Sequence, residues 1–261
     1  MSSQPKPLTE ATLQRLTGEA LMTFLGSASG FEAAARPGLH LVLCNEPVAD
    51  MNMLVAGPGA SQQHFRDMAR HCLDREIPFL VMFFPGADTA LEAAAEELGL
   101  AYAVDFPIMV REEQPLEPTG NPAVEVSRAS GQAGAEASAD IMVSAYSMPR
   151  DSVLRAIPAA FLDSPGADIY LARLGGETVG TVTLTYHGDT CGIWAMGTDT
   201  ARQRGGIGKR LLSTAMAQAQ DAGCKRFFLG ATPAGYRLYE GLGYRTACSA
   251  RVWVSGETHQ A

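Results

Sequence analysis

The apolar positions change period several times along the chain, and each change marks an element. Leu13, Leu16, Ala20 and Phe24 recur at helical spacing, so helical pieces are expected within residues 8–35, after a loose tail over 1–7. Residues 39–45 and 51–56 read as strands, and 61–75 as a helix with Ser61 as N-cap. Residues 78–84 are an unbroken apolar run of strand length, the pattern of a buried strand. A helix over 89–98, stopped by Gly99, and a strand over 100–110, bent at Pro107, close the first half.

Residues 112–122, EEQPLEPTGNP, combine Pro, Gly and charge without periodicity, which is the composition of a linker. A boundary there divides the chain into residues 1–115 and 116–261. The second half predicts a strand over 123–128, helices over 131–146 and 150–161 (the latter with Pro158 near its end) and a strand over 168–174. A turn at Gly175-Gly176-Glu177 leads to a return strand over 178–186, and a second turn at His187-Gly188-Asp189 to a strand over 191–198. A long helix over 206–222 closed by Gly223 follows, then a strand over 225–230. A short helix over 233–241, with Thr232 as N-cap and Pro233 at its first position, precedes the last strand, 244–254.

The ends of the two halves read alike. PFLVMFFPGADTALEAAAEELGLAYAVDFPIMV and KRFFLGATPAGYRLYEGLGYRTACSARVWV both run strand, turn, helix, Leu-Gly, strand. This suggests two related units in tandem. The alternative is a common strand–helix–strand grammar met twice by chance.

Charge separates the halves. Residues 1–120 carry 7 Lys/Arg and 16 Asp/Glu, whereas 121–261 carry 13 and 12. A formal net charge of −8 argues against nucleic acid as a partner, because phosphate backbones call for clustered Lys and Arg. Arg202, Arg204, Lys209 and Arg210 form a local basic group suited to a small anion. No apolar run approaches 18 residues and the first residues show no leader pattern, so no membrane segment is expected and a cytoplasmic location is read. The five cysteines, 44, 72, 191, 224 and 248, form no C-x-x-C pair and read as reduced, mostly buried thiols. No metal site is expected.

The most informative segment is Gln203-Arg204-Gly205-Gly206-Ile207-Gly208-Lys209, between a strand and a long helix. Helix N-termini present unpaired N–H groups and the positive end of the macrodipole, and glycines let a ligand approach that backbone. Such a turn seats phosphate. A P-loop reading fails, because Gln203 stands at the first Gly position and Arg210 follows the Lys. A dinucleotide fingerprint beginning at Gly206 fails at Leu211. The pattern Q/R-x-x-G-x-G/A fits Gln203, Gly206 and Gly208.

That loop, with the later segment Thr-Pro-Ala-Gly-Tyr-Arg-Leu-Tyr239-Glu-Gly-Leu-Gly-Tyr244, resembles the GCN5-related N-acetyltransferase (GNAT) family over about 130 residues. Thr232 and Gly235 depart from the family's Asn and Ala. The resemblance implies an α+β fold with a mixed, mostly antiparallel central sheet flanked by helices, here as two units with a degenerate first one. It implies acetyl-CoA as co-substrate and transfer of acetyl to an amine. Backbone groups of residues 204–209, with Gln203, Gly205, Ile207 and Gly208 in the loop, would hold the pyrophosphate. Met196, Gly197 and Thr198 would pair with the pantetheine arm, on a strand that splays from residues 225–230. A backbone N–H near Ala195 or Met196 would polarise the thioester carbonyl. Arg202, Arg204 and Lys209 either add charge or are solvated surface. Thr232 and Tyr236 would contact the cofactor.

Tyr239 matches the family's tyrosine acid for the leaving thiolate, or else packs under the cofactor. The strand CGIWAMGT carries no carboxylate to serve as base. His187 and Asp189 could act through water or merely shape a turn, and Trp194 could line the acceptor site or the core. The first half has Gly57-Pro-Gly-Ala-Ser-Gln-Gln63 where the loop should fall and Ala95 near the tyrosine position, so it is not expected to bind acetyl-CoA. The expected partner is a small-molecule amine, with the chain a monomer or homodimer. The competing class is a non-catalytic acyl-CoA-binding sensor or scaffold.

Overall fold

In a computed structural model of the chain, residues 7–256 are described; the tail expected over 1–7 lies outside them except for Pro7. The elements are α1 (Glu10–Leu25), β1 (Glu32–Arg36), β2 (Leu39–Leu43), β3 (Asn52–Ala56), α2 (Gln62–Leu73), β4 (Leu80–Phe83), α3 (Thr89–Glu97) and β5 (Ala101–Arg111). The second half continues with β6 (Glu125–Arg128), α4 (Gly131–Tyr146), α5 (Arg150–Ala156), β7 (Ala167–Leu174), β8 (Glu177–His187) and β9 (Thr190–Thr198). It ends with α6 (Ile207–Asp221), β10 (Arg226–Gly230), α7 (Pro233–Glu240) and β11 (Arg245–Val254).

The helical pieces expected within residues 8–35 are one helix capped by Thr9, and residues 32–36 pair with β2 as a hairpin across Gly38. One expectation is corrected. The helix expected over 150–161 ends at Ala156, because Pro158 lacks the N–H that would continue it. A 3-10 turn, Ala159–Asp163, follows.

All strands join one mostly antiparallel sheet in the order β1-β2-β3-β4-β11-β5-β10-β9-β8-β7-β6. Residues 32–111 and 167–254 pass through the same sequence of pairings. In each, two antiparallel steps are followed by a helical crossover to a parallel strand, β3 to β4 and β9 to β10. The last strands then cross over. β5 lies between β10 and β11, while β11 lies between β5 and β4. Each half is thus completed by the final strand of the other.

Helices cover both faces. On one face α1, α4 and α5 share a single apolar cluster with Val42, Val55, Ile169 and Phe228. On the other, α2 and α3 cover the first half and α6 and α7 the second. Helix α1 touches β2 and β3 as well as β8 and β9, so it packs in the angle between the halves.

Residues 112–122 form no regular element, yet they are tied down. Thr119 N donates to Ser213 Oγ at 2.9 Å, and Arg210 Nη1 to Pro118 O at 3.2 Å. Buried Arg111 donates through Nε to Leu242 O and through Nη2 to Gln114 O and Pro115 O. It thereby ties the 112–122 segment to the carbonyl of Leu242, just beyond α7.

Candidate active site

The ladder between parallel strands β9 and β10 runs only from Thr190↔Arg226 to Gly192↔Phe228. Beyond it the strands part, as expected, and residues 193–198 border an opening. At the mouth β9 carries a bulge: Ala195 and Met196 together face the single β8 residue Val182. Ala195 adopts φ 46°, a left-handed conformation that costs an alanine roughly 1–2 kcal/mol. The bulge removes this stretch from the regular ladder, which frees backbone groups to face a ligand.

The side chains after the bulge alternate between faces. A Cβ on Gly197 would meet Ala145 and Tyr146 of α4, whereas one on Gly208 would meet Met196, Thr198 and Leu238. Gly197 therefore admits α4 closely, and Gly208 brings the first turn of α6 down onto Met196, Thr198 and α7. The Tyr146 hydroxyl donates to the Met196 carbonyl at 2.7 Å. This engages one of that carbonyl's two lone pairs.

The loop before α6 has the geometry of an anion seat. Gln203, Arg204, Gly205 and Gly206 are exposed, while the Ile207 side chain is buried and anchors the helix start. Arg204 and Gly206 lie at φ 65° and 72°. The first N–H taken up by the helix is that of Arg210, on Gly206 O, so those of Ile207, Gly208 and Lys209 point out of its end. Asn121 braces the loop from behind, donating from Nδ2 to Gly205 O and from its backbone N to Gly206 O. Of the basic side chains, Arg202 pairs with Glu177 at 2.7 Å on the neighbouring hairpin, and Arg210 is held by the linker.

Helix α7 brings the tyrosines. Thr232 accepts from Gly235 N and caps the helix. Tyr236 Oη lies 2.9 Å from Thr246 Oγ1 on β11. Tyr239 is buried, packs edge-on against Tyr244, and burial pushes its hydroxyl pKa up to about 12. It therefore holds its proton at neutral pH.

The same backbone cap ends α3 and α7: Leu98 and Leu242 donate to the carbonyls of Ala95 and Tyr239, as do Leu100 and Tyr244. Ala95 is thus the residue at the tyrosine's place in the first half. The loop counterpart is closed as well. Gly57 N donates to Gly38 O, and a Cβ on Gly86 would touch Pro58.

Neither sequence candidate for a base lies at the opening. His187 and Asp189 flank the start of β9, six or more residues before Met196 and so roughly 20 Å along the strand. Asp189 is bound to Arg226 at 2.6 Å, which holds its carboxyl below the usual range. Burial lowers the pKa of His187. The reading of five reduced thiols is also corrected. Cys191 and Cys224 form a disulfide across the start of β9 and the turn into β10, while Cys44, Cys72 and Cys248 are free and buried.

Trp194, which the sequence offered for either the acceptor site or the core, and two residues that it did not single out lie near the opening. Trp194 donates from Nε1 to Thr185 Oγ1, stacks on Phe24 of α1 and meets Phe228 edge-on. The Phe106 ring of β5 covers Gly230 at the end of β10. Tyr146 is exposed at the end of α4, where its hydroxyl reaches the Met196 carbonyl. Phe24 and Phe106 come from the first half, so both halves supply side chains beside β9 and β10.

Among the described residues, no cluster of three or more His, Cys, Asp or Glu side chains could hold a metal ion, and no helix is long and apolar enough to cross a membrane.

Residues 136–244 match the model of the acetyltransferase (GNAT) family. No curated protein matches the sequence. Among solved structures, the chain is similar to a GCN5-related N-acetyltransferase from Kribbella flavida, with 18% identity, 96% of each chain covered and a TM-score of 0.71. It is also similar to a tandem GNAT protein from the clavulanic acid biosynthesis pathway, with 13% identity, 95% and 96% covered and a TM-score of 0.61. A GCN5-related N-acetyltransferase from Sphaerobacter thermophilus aligns at 16% identity over 98% of this chain and 95% of that one, with a TM-score of 0.58. At these identities the similarity is one of fold.

Proposed function

We propose, from the match of residues 136–244 to the acetyltransferase (GNAT) family, that the chain is an acetyl-CoA-dependent N-acetyltransferase acting on the primary amine of a small molecule or amino-acid-like acceptor. The observation that carries the proposal is the exposed left-handed turn Arg204-Gly205-Gly206 at the start of α6, next to the point where β9 and β10 part. Free N–H groups and the helix dipole suit a pyrophosphate there.

Residues 203–209 would hold the diphosphate, with Arg204 and Lys209 adding charge. The backbone of Met196, Gly197 and Thr198 would hold an extended arm, and Thr232 and Tyr236 would line its other side. When bound, acetyl-CoA supplies an acetyl group activated as a thioester. The chain's own groups do the rest. The bulge at Ala195 offers backbone N–H groups to a developing oxyanion. Tyr239 holds a proton at Oη that can pass to a leaving thiolate. In this reading the first half binds no acetyl-CoA, since Ala95 replaces the tyrosine and its loop is filled.

A second reading, a non-catalytic acyl-CoA sensor, is favoured by one observation: no carboxylate lies on β9. The two are separated by measuring thiol release from acetyl-CoA against amines, polyamines, amino acids, aminoglycosides and peptides. Acceptor-dependent release supports the enzyme. Tight acetyl-CoA binding with no release from any acceptor supports the sensor.

A further inference from the structure

We infer that the free edge of β1 pairs antiparallel with the same edge of a second copy of the chain, joining two sheets across a two-fold axis at Ala34. The inference is independent of the acetyl-transfer reading.

The neighbouring strands fix which backbone groups point outward. Strand β1 lies at the end of the sheet and, among the described residues, pairs only with β2. Gly57 N donates to Gly38 O and Cys44 N to Met51 O, so the even-numbered residues from 38 to 44 turn their backbone groups toward β3. Leu39, Leu41 and Leu43 therefore bond to β1, through their partners Arg36, Ala34 and Glu32. Ala33 and Ala35 are left with N–H and C=O groups aimed at the open edge. The Arg36 guanidinium already uses one of them, donating to Ala35 O at 2.8 Å.

The strand, Glu-Ala-Ala-Ala-Arg, carries opposite charges at its two ends. A two-fold pairing centred on Ala34 sets Ala33 opposite the partner's Ala35, so that each such pair exchanges both backbone bonds. The same register sets Glu32 opposite the partner's Arg36 at either end. Those are non-hydrogen-bonded sites, where facing side chains stand closest. Glu32 is fixed in place by His71 at 2.6 Å and by Arg75, both on α2, so an arriving guanidinium meets a preset acceptor.

The pairing also ends without loss. One step further, Phe31 would face the partner's Pro37. Proline has no N–H, and that of Phe31 is taken by Ala28 O, so neither end hides an unpaired donor. Phe31 is 36% exposed and adds an apolar contact there. Edge strands are commonly blunted by Lys, Pro or a bulge, and residues 32–36 contain none of these. The opposite edge of the sheet lacks this self-match. Ala129 N donates to Ile169 O, so Val126 and Arg128 are the outward residues of β6. No two-fold pairing through them sets Glu125 opposite Arg128. Charge and register thus select β1, and a second copy as its occupant.

The test is sedimentation equilibrium of the full-length chain at roughly 10–500 µM, the range suited to a small contact. Wild type is expected to show a reversible monomer–dimer equilibrium. Ala35→Pro removes an outward N–H, a change that an edge strand tolerates. Arg36→Glu sets like charges opposite each other at both ends. Each variant should keep the wild-type circular dichroism and raise the dimer Kd about tenfold or more. Ala34→Cys, on the axis, should cross-link to its copy under oxidised glutathione, whereas Ala33→Cys should not. A wild type that stays monomeric at the highest concentration overturns the inference. So does a dimer whose Kd neither folded variant moves beyond about twofold, or one that cross-links through residue 33 and not 34.

Discussion

Gly235 lies directly beneath the ring of Tyr239, one helical turn away: a Cβ at Gly235 would come within 2.7 Å of the ring. Side chains in a helix lean toward its N-terminus, so residue i+4 folds back over residue i. Replacing Gly by Ala inside a helix ordinarily gains about 1 kcal/mol. Here overpacking costs about 1–3 kcal/mol and pushes the ring from its place. Gly235→Ala is therefore expected to leave stability flat or lowered by up to about 2 kcal/mol. It should also reproduce much of the turnover loss of Tyr239→Phe, which is expected at about 100-fold with acetyl-CoA affinity kept. Denaturant unfolding and thiol-release kinetics on both variants check this. Unchanged turnover in Tyr239→Phe would remove the acid role.

The pyrophosphate assignment is tested at Gly206. Its φ of 72° is unfavourable for any other residue, and a Cβ would come 3.1 Å from Asn121 N. Gly206→Glu adds a negative charge where a diphosphate is to sit. Acetyl-CoA binding by calorimetry should fall below detection while a cooperative unfolding transition persists. Retained affinity in a folded variant would place the diphosphate elsewhere.

Much of this arrangement was legible from local pattern. Gly206, Ile207 and Gly208 follow a strand and open an amphipathic helix, and the splay of β9 from β10 sits where that motif requires it. The crossing of β5 and β11 was not legible, because both strands follow the same helix–Leu-Gly grammar and local sequence does not say which half each will join. The pairing of Cys191 with Cys224 was hidden for a similar reason: 33 residues separate them, and only the parallel β9–β10 register brings them together. The Glu46–Arg155 pair that ties the halves together gave no signal at all, because 109 residues separate its partners.

The crossing makes the halves interdependent. Without residues 1–115, β10 loses β5, β11 loses both β4 and β5, and Phe24 and Phe106 leave the cleft. The unpaired edges of β10 and β11 and the exposed inner face of β7–β9 favour aggregation. A chain of residues 116–261 alone is expected to be insoluble or to lack a cooperative transition. Supplying residues 1–115 as a separate chain should restore both solubility and near-ultraviolet circular dichroism. A soluble, cooperatively unfolding 116–261 would show that β5 is dispensable.

The clamp between the halves also carries a pH signature. The Arg155 guanidinium, hydrogen-bonded to Glu46, holds the Glu46 carboxyl below its ordinary value of 4.5. A depressed carboxyl stabilises the folded chain above the unfolded-state pKa, and this contribution is lost as pH falls through the folded one. Arg155 is half exposed, so solvent screening limits the size of the effect. Buried Glu46 would nonetheless have to accept a proton beside a cation. Wild type should therefore lose stability more steeply than Glu46→Gln as pH drops below about 4.5, although the variant is the less stable of the two at pH 7. Urea unfolding from pH 7 to pH 3 measures both slopes. Parallel curves would mean that the Glu46–Arg155 pair does not hold the halves together in solution.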